Sequence, residues 1–309
     1  MKEHNIWVEK YRPKDLKSYI GNQSLKESVQ QWIEKKDIPH LLLYSSPGTG
    51  KTSLAKLIIK NIDCAYQYIN ASDERGIDTI RDKVQGFAQA ASFAPIKIVI
   101  LDEADYLTIQ AQASLRNIIE TYSLNTRFIL TCNYIERVID PIQSRCQIFK
   151  IIPPSKEIVC EQIIDILNKE NITFNLEDVA TIIKKNYPDI RKIITSCQGS
   201  ILKEKLVLDN NTILDNNYLH KILKELQNIN SSSWKNIRQI ITDSNISDFE
   251  ECYRFLYDNL ENYAKGKESQ VIIKIEEYLY HANFRIDKEI NIMAFIASLI
   301  EILNTKQII

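Results

Sequence analysis

Along the first half of the chain, short apolar runs alternate with stretches whose apolar residues recur at helical spacing. Leu41–Tyr44, Tyr66–Asn70, Ile98–Leu101, Arg127–Thr131 and Gln147–Ile151 have the length and β-branched or aromatic content of strands. Ser53–Lys60 and Thr108–Tyr122 read as helices. In the second of these Ala111, Leu115, Ile118, Ile119 and Tyr122 share one face, with Arg116 and Glu120 outside it. Strands alternating with helices predict an α/β domain, a parallel sheet covered by helices. Pro153–Pro154 ends the alternation, and only helical patterns follow, from Lys156 to about Lys205. A polar stretch at Asn210–Asn217 leads to a wholly helical end, with Asn230–Ser233 as a turn between helices. Its apolar positions include Phe255, Leu256, Leu260, Ile272, Ile275 and Leu279. The expected organisation is an α/β domain over 1–152, a small helical domain over 153–222 and a helical end domain over 223–309.

Length and composition narrow this picture only a little. A chain of 309 residues has room for roughly two or three domains. The formal net charge is −1, so contact with a polyanion would have to come from the placement of individual cations. No secretory leader is recognisable, and no apolar run is long enough to cross a bilayer. A membrane role is therefore not expected. Six scattered cysteines, without CxxC pairs or histidines at metal spacing, suggest reduced intracellular thiols rather than structural zinc.

The candidate chemistry begins at Tyr44–Thr52, "YSSPGTGKT". Gly50, Lys51 and Thr52 fit the end of the phosphate-binding signature G-x-x-x-x-G-K-[ST], while Ser45 occupies its first glycine position. The context is strand, loop, helix, so backbone N–H groups and a helix N-terminus are aimed at phosphate. Ser45, Ser46, Pro47, Gly48, Thr49, Gly50, Lys51, Thr52 and Ser53 are the expected nucleotide-binding stretch. Lys51 is expected at the β- and γ-phosphates, and Thr52 offers a hydroxyl to Mg²⁺. Ser45 precedes the tight part of the turn, where a small residue of negative φ suffices.

A second segment, "KIVILDEAD" at Lys97–Asp105, is an apolar strand ending in acids, the end at which open α/β sheets bind ligands. Asp102 is a candidate Mg²⁺ ligand and Glu103 a candidate activator of water. Together the two segments imply ATP hydrolysis with Mg²⁺. Asn133, ending "RFILTCN", suits a role in placing water near the γ-phosphate. Arg145, on the turn of "PIQSRCQIF", suits an arginine finger that stabilises charge on a bound nucleotide.

These segments together resemble the clamp-loader branch of the AAA+ ATPases. "WVEKYRP", "NASDERGID", "DEAD", "TCN" and "SRC" are similar, in this order, to the boxes of replication factor C small subunits. "KKDIPHLLLYSSPGTGKT", "FAQAASF" and "KKNYPDIRKII" resemble the ATPase subunit of bacteriophage clamp loaders. The resemblance covers about residues 6–200. It implies an AAA+ P-loop core, a helical lid and an oligomerising helical collar. It also implies partners: primer–template DNA, a sliding clamp, and other clamp-loader subunits in a pentameric assembly at sites of DNA replication.

Residue by residue, the resemblance assigns Val8, Tyr11, Arg12 and Pro13 to the adenine and Asn133 to the first sensor. Arg145 becomes the finger that reaches a neighbouring subunit's ATP, and Arg191 the second sensor, with Pro188 where that box usually has glycine. Arg75, Arg81 and Arg116 are candidate DNA ligands, Arg75 also matching a switch position that restrains Glu103. Phe93 matches an apolar anchor for the clamp. Two other readings compete with this one: an AAA+ initiator or helicase loader, and a structural clamp-loader subunit that binds ATP without hydrolysing it. A metabolic kinase fits worst, since no substrate-pocket signature appears.

Overall fold

The computed structural model describes residues 6–21, 23–207, 210–244, 249–282, 284–285 and 287–304. They form two compact units, 1–207 and 208–309.

The first unit is built on five parallel strands: β1 (Leu41–Tyr44), β2 (Cys64–Asn70), β3 (Ile96–Asp102), β4 (Thr126–Cys132) and β5 (Gln147–Lys150). All five expected strands form, several a residue or two longer than their apolar cores. Their order is β2-β3-β4-β1-β5, with Leu42 opposite both Leu130 and Ile148, and Leu101 opposite Ile69 and Leu130. Side chains alternate across a sheet, so the central strands β1, β3 and β4 feed two cores. Leu41, Leu43, Ile98, Ile100 and Ile129 pack on one face with Leu54 and Ile58 of the helix Lys51–Lys60. Leu42, Val99, Leu101, Phe128 and Leu130 pack on the other with Leu115, Ile118 and Ile119 of the helix Ile109–Thr121. That helix starts where Thr108 accepts a hydrogen bond from the N–H of Ala111, an N-cap that satisfies one orphan donor.

In the central strands β1, β3 and β4, burial on both faces forces the interiors to be apolar and leaves polar residues near the strand ends. Every residue of β3 is buried, including Lys97 at its start and Asp102 at its end. The Lys97 ammonium donates to the carbonyls of Phe87 (3.3 Å), Ala88 and Ala90 (2.7 Å). These lie at the C-terminal end of the helical segment 77–89, where a cation meets the negative end of the peptide dipoles. The middle of that segment, Ile80–Gln85, is wound as a π-helix.

The helices Lys156–Lys169, Leu176–Asn186 and Ile190–Gly199 follow the sheet. The expectation of helix alone up to Lys205 is corrected: Ile201–Leu202 and Lys205–Leu206 pair as a short antiparallel hairpin, closed by Lys203 and Glu204 at positive φ. A two-residue turn with both φ positive matches the twist of the strands it joins, and a two-residue strand is too short to show alternation.

In the second unit the polar stretch expected to be a connection is helical, the first turns of Asn210–Gln227. The boundary expected after 222 falls inside this helix, and the compact units divide at 207/208. Asn230–Ser233 does separate two helices, the second being Ser233–Ser244. The helices of this unit bury Ile222, Leu226, Tyr253, Leu256, Ile275, Phe295 and Leu299 in one core. Ile272, by contrast, is exposed.

Candidate active site

The loop after β1 lies at the carboxyl end of a central strand, where the chain must turn sharply to enter the helix Lys51–Lys60. Gly48 (φ 72°) and Gly50 (φ 94°) take left-handed conformations that a side chain disfavours. At Gly48 the approach is closer still: a Cβ there would sit 1.8 Å from a carboxylate oxygen of Asp189. Ser45 is not among the described residues with positive φ, and its buried hydroxyl donates to the Ile151 carbonyl at 2.6 Å. The serine therefore satisfies an acceptor beyond β5 instead of facing the cleft. Thr49 closes the turn on the Ser46 carbonyl at 2.9 Å.

The Lys51 ammonium is buried against the loop, donating to the carbonyls of Ser45 and Ser46, both at 2.8 Å. Burial lowers its pKa, and nearby Asp102 and Asp105 act in the opposite direction. An anion in the cleft would relieve that desolvation.

Asp102 ends β3 with three hydroxyls around its carboxylate. Thr52 donates at 2.8 Å, Tyr68 at 2.7 Å, and Thr131 makes a third, very short bond. Thr52 and Asp102 therefore meet, as their motifs require. A threonine hydroxyl beside a carboxylate is a hard oxygen donor pair that suits Mg²⁺ with phosphate and water as its remaining ligands. Glu103 follows in a left-handed conformation (φ 57°, ψ 43°), held by its N–H on the Thr131 hydroxyl at 3.1 Å. Such a backbone costs about 1–3 kcal/mol for a non-glycine residue and turns the carboxylate out of the strand line. Glu103, Thr131 and Asn133 line the same cleft as Pro47, Lys51, Thr52 and Arg191.

A neighbouring cleft shares Gly48, Gly50, Ser53 and Arg191. Val8, Tyr11, Arg12 and Pro13 line it together with Ile190 and Ile194. An apolar slot joined to a polar, lysine-bearing cleft has the two halves that a base and a polyphosphate need. Arg191 lines both halves, with Asp189 before it capping the helix Ile190–Gly199 through the N–H of Lys192 at 2.9 Å.

The comparisons agree with this geometry. The ATPase family associated with various cellular activities (AAA) matches residues 41–154. A replication factor C small subunit of Sulfolobus acidocaldarius is 33% identical over 97% of each chain. The chain belongs to the replication factor C small-subunit family. A second small subunit, from Archaeoglobus fulgidus, is 43% identical over 207 residues, 65% of each chain. Among solved structures, the RuvB Holliday junction branch migration motor of Thermotoga maritima has a TM-score of 0.53 at 16% identity, covering 71% of this chain and 80% of that one. At that identity the likeness concerns the AAA+ P-loop fold alone.

Other expected residues of this replication factor C relative lie away from the cleft. Arg145 lines neither half; it donates to the Pro141 carbonyl at 2.8 Å and pairs with Glu120 at 3.2 Å. Arg75 and Arg81 are exposed, and the Arg75 carbonyl accepts from the N–H of Thr108 at 3.2 Å. Arg116, expected to be exposed, is half-buried and donates to Asn117. Phe93 is fully exposed (112%) on the loop that Lys97 anchors.

Several residues that shape the site carry no motif signal. Tyr68 reads as an ordinary strand tyrosine. Asp105 accepts from the N–H groups of Asn133 and Tyr134, both at 3.2 Å, fixing that turn to the acidic segment. Buried Gln112 joins the carbonyls of Leu107 and Arg137 and the N–H of Ile139. Only the "DEAD" segment pointed near any of these, since each acts through a contact distant in sequence.

Proposed function

We propose that the chain is the ATPase subunit of a DNA sliding-clamp loader, which uses ATP binding and hydrolysis to open a ring-shaped clamp and load it onto primer–template DNA. The observation that carries this reading is the gathering of Lys51, Thr52, Asp102, Glu103, Asn133 and Arg191 around one cleft, while Arg145 stays outside it. ATP would lie with its base against Val8, Tyr11, Arg12 and Pro13 and its phosphates on the backbone of residues 45–53 and on Lys51. Thr52 and Asp102 would hold Mg²⁺, which neutralises charge on the phosphate oxygens when bound. Glu103 accepts the proton of the attacking water, Asn133 orients that water, and Arg191 stabilises phosphate charge. Arg145 acts on a neighbouring subunit's nucleotide, which requires an oligomer, a pentamer in this reading. Arg75, Arg81 and Arg116 contact the DNA backbone and Phe93 the clamp, inside the cell where DNA is replicated.

The non-hydrolysing alternative rests on Ser45 and Pro188. Ser45 leaves the loop conformation intact, and Arg191 lines the cleft despite Pro188, so neither favours it. The initiator or helicase-loader alternative has no observation in its favour. The deciding measurement is steady-state ATP hydrolysis by the chain with its copurifying subunits, with and without primer–template DNA and a sliding clamp. Stimulation that needs both is expected. A rate indifferent to both would keep the ATPase and remove the clamp-loading role; binding without hydrolysis would restore the structural-subunit reading.

A further inference from the structure

The base-side wall of the nucleotide cleft is formed by a very short element. The helix Trp7–Lys10 has four residues, too few to be stable by itself. Its position is set from outside, by the helical segment 156–199. At its start the N–H of Trp7 donates to Gln198 at 2.9 Å. At its end Lys10 and Tyr11 converge on one oxygen of Glu170, the ammonium at 2.7 Å and the phenol at 2.5 Å. Tyr11 also lines the cleft, together with Gln162, Ile190 and Ile194 from the same helical segment.

Glu170 caps the C-terminal end of the helix Lys156–Lys169. A carboxylate there faces the negative end of the helix dipole, which local helix energetics disfavour. Partners from the N-terminal segment offset this. Lys10 and then Tyr11 hold the Glu170 carboxyl below its usual range, consistent with a carboxylate stabilised by both. A residue that violates a local rule and is compensated by a tertiary contact marks a place where the contact has a role.

We propose that Glu170 is a positioning residue for nucleotide: through Lys10 and Tyr11 it holds the base-side wall against the helical segment and thereby sets nucleotide affinity, without taking part in hydrolysis. This rests on the reading of the cleft as an ATP site. The test uses the full-length chain with its copurifying subunits, a fluorescent non-hydrolysable ATP analogue with Mg²⁺, and steady-state ATPase kinetics. Binding by the unaltered chain comes first, since its absence would remove the ATP reading itself and not this inference alone.

Given binding, Glu170→Gln is expected to raise both Kd and KM about three- to tenfold, the net scale of one intramolecular hydrogen bond, with kcat at saturation unchanged. Lys10→Glu should do the same, and the exchanged pair Lys10→Glu with Glu170→Lys should recover most of the affinity. Unchanged Kd and KM in Glu170→Gln would overturn the proposal, as would a fall in kcat at constant KM. A loss that the exchanged pair does not restore, matched by a lower melting temperature without nucleotide, would reduce Glu170 to a structural contact. Should Glu170→Gln fail to fold, Lys10→Met removes the same ion pair from the other side and is read against the same outcomes.

Discussion

At the scale of single residues, the acid at the end of β3 shows how much of the site is set by neighbours. Asp102 accepts from Thr52, Tyr68 and Thr131, so its carboxylate is held before any metal arrives. If Thr52 turns to the ion on loading, Tyr68 and Thr131 remain to hold the carboxylate. Tyr68→Phe should therefore raise the Mg²⁺ concentration needed for tight binding of a fluorescent ATP analogue by about three- to tenfold, the net scale of one intramolecular hydrogen bond. Binding measured without Mg²⁺ should not change. A Mg²⁺ titration identical to that of the unaltered chain would show that Tyr68 has no hold on Asp102. Ser45 gives the opposite case. Its hydroxyl serves the Ile151 carbonyl, so Ser45→Gly, although it restores the usual motif, should lower the melting temperature by about 2–6 °C. Nucleotide affinity should stay as it is; a gain in affinity would mean that the serine obstructs the loop.

At the scale of elements, strand starts and strand ends have different tasks. The carboxyl ends of β1, β3 and β4 carry the cleft, whereas the start of β1 is tied structurally. His40 accepts from the N–H of Phe128 through Nδ1 at 3.3 Å, and its carbonyl takes the N–H of Gln147 at 2.7 Å, joining β1 to both neighbours. Burial, with Arg127 nearby, lowers the His40 pKa from 6.5 to about 4. Between those values the unfolded chain holds the proton and the folded chain does not. Stability from this group is thus complete above about pH 6.5 and is lost as pH falls towards 4. His40→Gln should flatten the decline in unfolding free energy from denaturant titrations between pH 7.5 and 5 by on the order of 1 kcal/mol, a figure discounted for the ring's partial exposure. An unchanged slope would assign the acid sensitivity elsewhere. The elements themselves were largely legible: Leu41–Tyr44 and the interior of β3 are uniformly apolar because both their faces are covered, and the helix Ile109–Thr121 has its expected buried face. The hairpin at 201–206 and the helical start at Asn210 were not legible. A pair of two-residue strands has no period, and asparagine-rich sequence favours turns until a surrounding structure outweighs it.

At the scale of the whole molecule, the position of Arg145 outside its own cleft gives the sharpest expectation. Arg145→Ala should leave nucleotide binding within about twofold and reduce the stimulated ATPase rate by a factor on the order of 10³, as loss of an arginine finger in trans does. Nucleotide binding and melting curves, run beside the rate, check the assignment: loss of binding with the fold intact would place Arg145 on its own subunit's ATP. Each of the two compact units is built on its own buried apolar clusters.

What the sequence by itself determined is what local order encodes. The strand–loop–helix around Lys51, the acids after β3, and the run of boxes that place the chain in its family all depend on neighbours within a few residues, and spacing alone expresses them. The tertiary structure decided everything that depends on distance in space between positions far apart in the chain. It brought Tyr68 and Thr131 to Asp102, set Asp189 against Gly48, turned Ser45 to Ile151, and tied Lys10 and Tyr11 to Glu170. No periodicity records such pairs, because each contact appears only once the sheet order β2-β3-β4-β1-β5 and the following helices have packed.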